Sequence, residues 1–240
     1  LKLEAKQVQD SSVSVPTHLP MARLVAGMMF LAAATAQPVF DYTFASNCPL
    51  VRNFSNTTFR TVFEAEGIAE TVDFRIHAAI RPGKELHTED YECVLEKPGC
   101  PMTRLMLCML DATEAANAKR MVFFTCWNNF PVIYPQHYGL EVQNAQACAK
   151  RAGLDWGGIE ACSRSNKGSE LLKSAASSFV ERFPRYAHGE QFGVPHVEID
   201  GVTMGPHGWA RYVNASTYIE TLCAKGIEAG VCKASQTIVV

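Results

Sequence analysis

Four absences narrow what this chain can be. Neither charge is in excess: 22 Lys and Arg stand against 24 Asp and Glu, so the electrostatic footprint of a nucleic-acid-binding surface is missing. After residue 36 no apolar run approaches the ~20 residues that cross a bilayer, so the mature chain is expected to have no membrane partner. No repeat or low-complexity tract breaks the pattern. The fourth absence is local. In "SNCPLVRNF", residues 46–54, the position three after Cys48 holds Val51, where a Cys-x-x-Cys pair would carry its second thiol.

What is present points to an oxidising compartment. Nine cysteines in 240 residues is high for a reduced cytosolic protein. Residues 21–36, "MARLVAGMMFLAAATA", open with a basic residue, Arg23, run apolar from Leu24 to Ala34 and close on Ala34-Thr35-Ala36. That is the pattern of a secretory signal cut after a small-x-small motif, leaving a mature domain over 37–240. Residues 1–20 lack methionine and periodicity and read as an upstream leader outside the fold. Behind such a signal, the sequons at Asn53, Asn56 and Asn214 are expected to be glycan acceptors. The expected location is the secretory pathway, with a lysosomal or endosomal compartment or the exterior as destination.

The mature chain divides by periodicity. Residues 38–46 are aromatic and β-branched and read as a strand. Pro49 suits the first turn of a helix with an apolar stripe at Leu50, Phe54, Phe59, Val62 and Phe63, ended by Gly67. Val72, Phe74, Ile76, Ala78 and Ile80 alternate as in a strand. A cysteine-rich helical segment follows over about 90–165. In it Pro101 opens a helix with Met102, Leu105, Met106, Met109 and Leu110 on one face, a stripe expected to pack in the core, and 128–139 is a proline-interrupted loop. Leu171, Leu172, Ala175, Ala176, Phe179, Val180 and Phe183 then form a helical stripe that stops at Pro184. Residues 193–204 read as a hairpin turning at Asp200-Gly201. A last helix is expected near Thr217, with Glu220 completing a capping box. The order β-α-β, helical insert, α-β-β-α predicts an α/β, thioredoxin-like core with a cysteine-rich helical insertion, stabilised by disulfides.

Cys48 is the candidate nucleophile. The free N–H groups and dipole of a helix N-terminus favour a thiolate, and an ordinary cysteine thiol titrates near about 8.5. Nine is odd, so at least one cysteine is left unpaired, and Cys48 is the one that precedes residue 93. Val194-Pro195, just before the hairpin, suits a cis bond beside that thiol, where backbone groups could hold an extended peptide. Cys93, Cys100, Cys108, Cys126, Cys148, Cys162, Cys223 and Cys232 suffice for four disulfides. Eight cysteines allow about a hundred pairings, with Cys223–Cys232 the easiest guess. The spacing is too wide for common zinc pairs, and His77 and His87 read as surface or loop residues, so no metal is expected. His196 lies either near Cys48 or on a strand pointing away.

These features resemble the gamma-interferon-inducible lysosomal thiol reductase family. "CVLEKPGCPMTRLMLC" (93–108) has the three cysteines of that family's signature at its spacing, while Val94-Leu95-Glu96, Gly99 and Thr103 stand in place of its Gln-His-Gly, Glu and Asn. "GLDWGGIEAC" (153–162), "KGSELLKSAA" (167–176), "GVPHVEIDG" (193–201) and "CAKGIEAGVC" (223–232) extend the likeness over most of the mature chain. The resemblance implies a thioredoxin-like fold and reduction of protein disulfides in an acidic endocytic compartment. The family's Cys-x-x-Cys pair carries over only at Cys48.

The favoured reading is a thiol–disulfide oxidoreductase acting on disulfide-bonded protein substrates through Cys48, with Val194 and Pro195 holding the substrate. It needs no cofactor beyond a small thiol, such as glutathione or cysteine, or the substrate's own thiol to resolve the intermediate. The alternative is a secreted, non-catalytic binding scaffold of the same fold. A cysteine protease is a distant third, since no family-specific local signature is present.

Overall fold

Alternation along one strand sets the two layers of the fold. A computed structural model of the chain describes residues 36–82, 91–114, 116–131, 138–187 and 193–236. The expected leader and signal, Ala36 excepted, lie outside these residues, as do His87 and residues 132–137 of the proline-rich loop. Strand β1 (Val39–Phe44) pairs parallel with β2 (Asp73–Ala78) and antiparallel with β3 (His196–Ile199), which turns back into β4 (Val202–Thr203). The sheet order is β2-β1-β3-β4. One face carries Phe40, Tyr42, Phe44, Val197 and Ile199, all buried; the other carries Asp41, Thr43, His196 and Glu198.

Helices α1 (Pro49–Phe54) and α2 (Arg60–Glu64) cover the aromatic face, joined without a break by a π-helical turn, Ser55–Phe59. A stretch of α-helix would set Phe54 and Phe59 on different sides. The wider turn adds a residue and brings both rings onto the sheet, Phe54 at 5.5 Å and Phe59 at 4.8 Å from Tyr42. Ser55 Oγ, 2.6 Å from the buried Tyr42 hydroxyl, satisfies the one polar atom there. The expected stripe is corrected at two points. Leu50 faces outward, 39 % exposed, and Val51 takes the inner position. The helix also ends at Glu64, before Gly67, whose left-handed φ of 79° starts the short helix α3 (Ile68–Thr71).

The insertion consists of α4 (Pro101–Ala112), α5 (Asn117–Asn128), α6 (Tyr138–Arg151) and α7 (Trp156–Arg164). Met102, Leu105, Met106 and Met109 are buried, as their spacing predicts, while Leu110 lies at the edge of the core. Cys108–Cys162 ties α4 to α7, Cys126–Cys148 ties α5 to α6, and Cys93–Cys100 closes the loop before α4. Helices α8 (Asn166–Arg182) and α9 (Pro184–Ala187) lead back to β3 on the polar face of the sheet. The β3–β4 turn has positive φ at both Asp200 and Gly201, the type I′ requirement. Asp200 accepts the Val39 N–H at 2.8 Å and pairs with Lys225 at 2.9 Å, and those partners hold its carboxyl below the usual range.

The chain closes with α10 (Ala215–Cys223) and α11 (Gly230–Gln236), joined by Cys223–Cys232. Here the expectation of a Thr217–Glu220 capping box is wrong. The helix starts two residues earlier, behind Asn214, which makes no side-chain cap. The burial of Tyr218 and Leu222, rather than a local polar motif, fixes its position.

Candidate active site

The end of β1 and the start of α1 place one thiol at the rim of the sheet. Cys48 N–H donates to the Ala45 carbonyl at 3.2 Å, closing a turn, and the Cys48 carbonyl accepts from Arg52 N–H at 3.0 Å. Cys48 is extended, with φ −91° and ψ 123°, and Pro49 behind it fits the first helical position, where no donor is lost. Cys48 is the free cysteine of the chain and 6 % exposed. Val51, one turn on, is fully buried and offers no sulfur.

Strand β3 brings the second element. Its register pairs Thr43, near the end of β1, with His196, the first residue of β3, so Val194 and Pro195 lie just beyond the same end of the sheet as the Cys48 turn. The Val194–Pro195 bond is cis. The Pro195 carbonyl accepts from Ala210 N–H at 3.1 Å. Neither backbone group of Val194 has a hydrogen-bond partner among the described residues. Beside it lies a cleft of about 190 Å³ lined by Ala79, Arg81, Glu92, Cys93, Val94 and Phe179.

A polar network unforeseen from the sequence supports the Cys48 turn. Asn47 Nδ2 donates to the Leu95 carbonyl at 2.7 Å, within the loop closed by Cys93–Cys100. Thr103 Oγ1 donates to Glu96 Oε1 at 2.6 Å, so Ser46, 3.0 Å from the same oxygen, is the donor to Thr103. The other carboxyl oxygen of Glu96 accepts the N–H groups of Met102 and Thr103 at 2.8 and 3.1 Å, capping α4 from outside its own chain segment. Glu96 keeps some exposed surface, but its carboxyl group is enclosed. Burial, opposed by the Thr103 and Met102 donors and assisted by the charge of Glu141, pushes it up to about 7.

Arg52 is the second surprise. It is buried one turn after Cys48, pairs with the buried Glu141 at 2.8 Å, and donates to the carbonyls of Phe130 and Pro131, each at 3.0 Å. Burial pulls its pKa down while Glu141 counters. The clue in the sequence is slight: an arginine between Val51 and Phe54, with its partners 78 to 89 residues away.

The histidines do not join this site. His196 lies on the opposite face of the sheet from α1, its ring between the Gly208 carbonyl at 3.1 Å and Glu198 at 3.2 Å, and edge-on to Phe183. His77, expected to face solvent or lie in a loop, is half-buried on β2 and 2.7 Å from Asp41. Burial raises the Asp41 carboxyl, yet the His77 hydrogen bond and the charges of Arg182, His77 and Arg75 prevail and hold it below its ordinary value. Among the described residues no group of three or more His, Cys, Asp or Glu is placed to hold a metal ion, and no helix is long and apolar enough to cross a membrane. Of the sequons, Asn53 and Asn214 are exposed, while Asn56 is partly buried and donates to Asn129 at 3.0 Å.

No protein-family model and no curated protein matches the sequence. The fold does match solved structures. Reduced DsbA from Mycobacterium tuberculosis aligns with a TM-score of 0.53 at 10 % identity, over 88 % of this chain and 93 % of that one. Chlamydia trachomatis DsbA gives 0.52 at 13 % identity, over 87 % and 97 %. The reduced disulfide bond oxidoreductase DsbG from Mycobacterium tuberculosis gives 0.51 at 10 % identity, over 84 % of each chain. The chain has a thioredoxin-like α/β fold of the DsbA type, with a cysteine-rich helical insertion and four disulfides.

Proposed function

We propose that this chain is a thiol–disulfide oxidoreductase that acts on protein disulfides through Cys48. The observation that carries the reading is the pairing of one free thiol, where β1 meets α1, with a Val194–Pro195 turn whose first residue has no hydrogen-bond partner for its amide or carbonyl among the described residues. An extended substrate strand can pair with Val194 and lay its disulfide against Cys48. The likeness in fold to a disulfide bond oxidoreductase supports the same reading.

The chemistry follows from the thiol count. The Cys48 thiolate attacks one sulfur of the substrate disulfide, forms a mixed disulfide and releases the other sulfur as a thiolate. Val51 cannot attack the mixed disulfide, so the step needs another thiol, and a small molecule such as glutathione or cysteine, or the substrate's own released thiol, is able to supply it. Passage through the secretory or endocytic pathway belongs to the same proposal, with residues 21–36 as signal and Asn53, Asn56 and Asn214 as glycan acceptors. So does kinship with the gamma-interferon-inducible lysosomal thiol reductases.

The low exposure of Cys48 and the valine at 51 favour a second reading, a binding scaffold without turnover. Incubation with a disulfide-bonded peptide, acid quenching and peptide mapping separate the two. A peptide adduct on Cys48, together with glutathione-dependent reduction of insulin that is lost in C48A, is the expected result. A Cys48 that carries no adduct in the folded protein would leave the scaffold reading standing.

A further inference from the structure

The eight-residue loop closed by Cys93–Cys100 differs from the other three disulfides in where it sits. Both residues preceding Cys48 are bonded to this segment: Asn47 to the Leu95 carbonyl within the loop, and Ser46 to Thr103, one turn beyond Cys100 and itself bonded to Glu96. Cys93 lines the same cleft as Val194, which precedes β3 at the end of the sheet where β1 leads through Ala45, whose carbonyl holds the Cys48 N–H, into the Cys48 turn. The two sulfurs of the pair are unequal. Cys93 is partly exposed at the cleft, whereas Cys100 is fully buried at the start of α4. The loop is also held away from relaxed backbone geometry: Leu95 and Cys100 have φ of 57° and 50°, in the left-handed region that non-glycine residues disfavour. Of the other bridges, Cys108–Cys162 and Cys126–Cys148 join helices of the insertion and Cys223–Cys232 joins α10 to α11.

From this arrangement we propose that Cys93 and Cys100 are the resolving pair for Cys48, replacing in space the second cysteine that the chain lacks at 51. The proposal rests on Cys48 being the reacting thiol. With Cys93 and Cys100 as a dithiol, the Cys93 thiolate attacks Cys48 Sγ in the mixed disulfide. The Cys48–substrate bond breaks, the substrate sulfur leaves as a thiolate and takes up a proton, and a Cys48–Cys93 disulfide forms. The Cys100 thiolate then attacks Cys93 Sγ, which restores Cys93–Cys100 and frees Cys48. Two electrons and two protons pass from the Cys93/Cys100 dithiol to the substrate disulfide. Two equivalents of a small-molecule thiol re-reduce Cys93–Cys100 and are oxidised to their own disulfide. A bonded Cys93–Cys100 together with a free Cys48, the redox state of this structure, is the state that ends one round.

Removing Cys100 strands the cycle midway. Full-length C100A, treated with a disulfide-bonded peptide and mapped without reduction, is expected to yield a Cys48–Cys93 cross-link. C93A/C100A is expected to accumulate the Cys48–peptide adduct and to turn over roughly tenfold more slowly than wild type at about 1 mM glutathione, because an external thiol then competes without the advantage of a tethered one. A wild-type experiment guards against misfolded variants. Protein reduced gently at Cys93–Cys100 and given one equivalent of oxidised peptide should show Cys93–Cys100 re-formed, with Cys48 free to alkylate. The proposal falls if C100A gives no cross-link and if C93A/C100A, with wild-type circular dichroism, turns over at the wild-type rate while its Cys48 still forms the adduct. If Cys48 forms no adduct even in wild type, the oxidoreductase reading falls with it.

Discussion

Enclosing a carboxyl group costs far more free energy when it is charged than when it is neutral, and Glu96 meets that difference near neutral pH. Its ordinary value of 4.5 applies to the unfolded chain and about 7 to the folded one. Between these values the folded chain holds a proton that the unfolded chain has released, so stability falls as pH rises through that window and is regained on acidification. The protein is therefore expected to melt several degrees higher at pH 5 than at pH 7.5, corresponding to about 2 kcal/mol. Asp41, held below 3.8, stays charged across the window and does not add to the effect. Scanning calorimetry of E96Q at the two pH values tests the assignment. The glutamine keeps an acceptor for the α4 amides but cannot titrate, so the difference should shrink to near zero. An undiminished difference would place the proton elsewhere.

At the scale of elements, α1 is held by a charge as well as by its short apolar face. Arg52 spans from α1 to α6 at Glu141 and to the carbonyls that follow α5. Truncating one partner of a buried ion pair leaves the other unpaired, which costs about 3–5 kcal/mol. E141A should accordingly lower the melting temperature by about 10 °C, and R52K should also destabilise, since an ammonium cannot reach carboxylate and carbonyls as a planar fork does. A shift under about 2 °C in E141A would show that the pair contributes little. Other elements were readable because their signals are local. The strands announce themselves by alternation at Phe40–Tyr42–Phe44 and Phe74–Ile76–Ala78, the hairpin by Asp200-Gly201, and α4 and α8 by their stripes. The π turn was not readable, because its cause is a tertiary contact of Ser55 and Phe59 with Tyr42. Nor was the start of α10, which core packing sets. The candidate site divides the same way. A cysteine-proline after a strand and a proline before a hairpin can be read in order, but Asn47 and Leu95 lie 48 residues apart, and no period links them.

Over the whole molecule the disulfides fall into two kinds. Cys108–Cys162 and Cys126–Cys148, at sequence separations of 54 and 22, join helices of the insertion, whereas Cys93–Cys100 and Cys223–Cys232, at separations of 7 and 9, close short loops. Chain-entropy arguments assign about 4 kcal/mol to the longest bridge and about 2.6 kcal/mol to the Cys223–Cys232 clasp. In thermal melts C108A/C162A should then lose more than C223A/C232A, by about 3–5 °C; an equal or reversed loss would mean that native contacts, not chain entropy, set the order. Val51 adds a different consequence. Its site one turn into α1 is already lined for a small apolar side chain, and a thiol is smaller than the isopropyl group it would replace. The inner position one turn after Cys48, now filled by valine, is thus one that a second sulfur could occupy, and a single V51C exchange is expected to place two thiols within one helical turn.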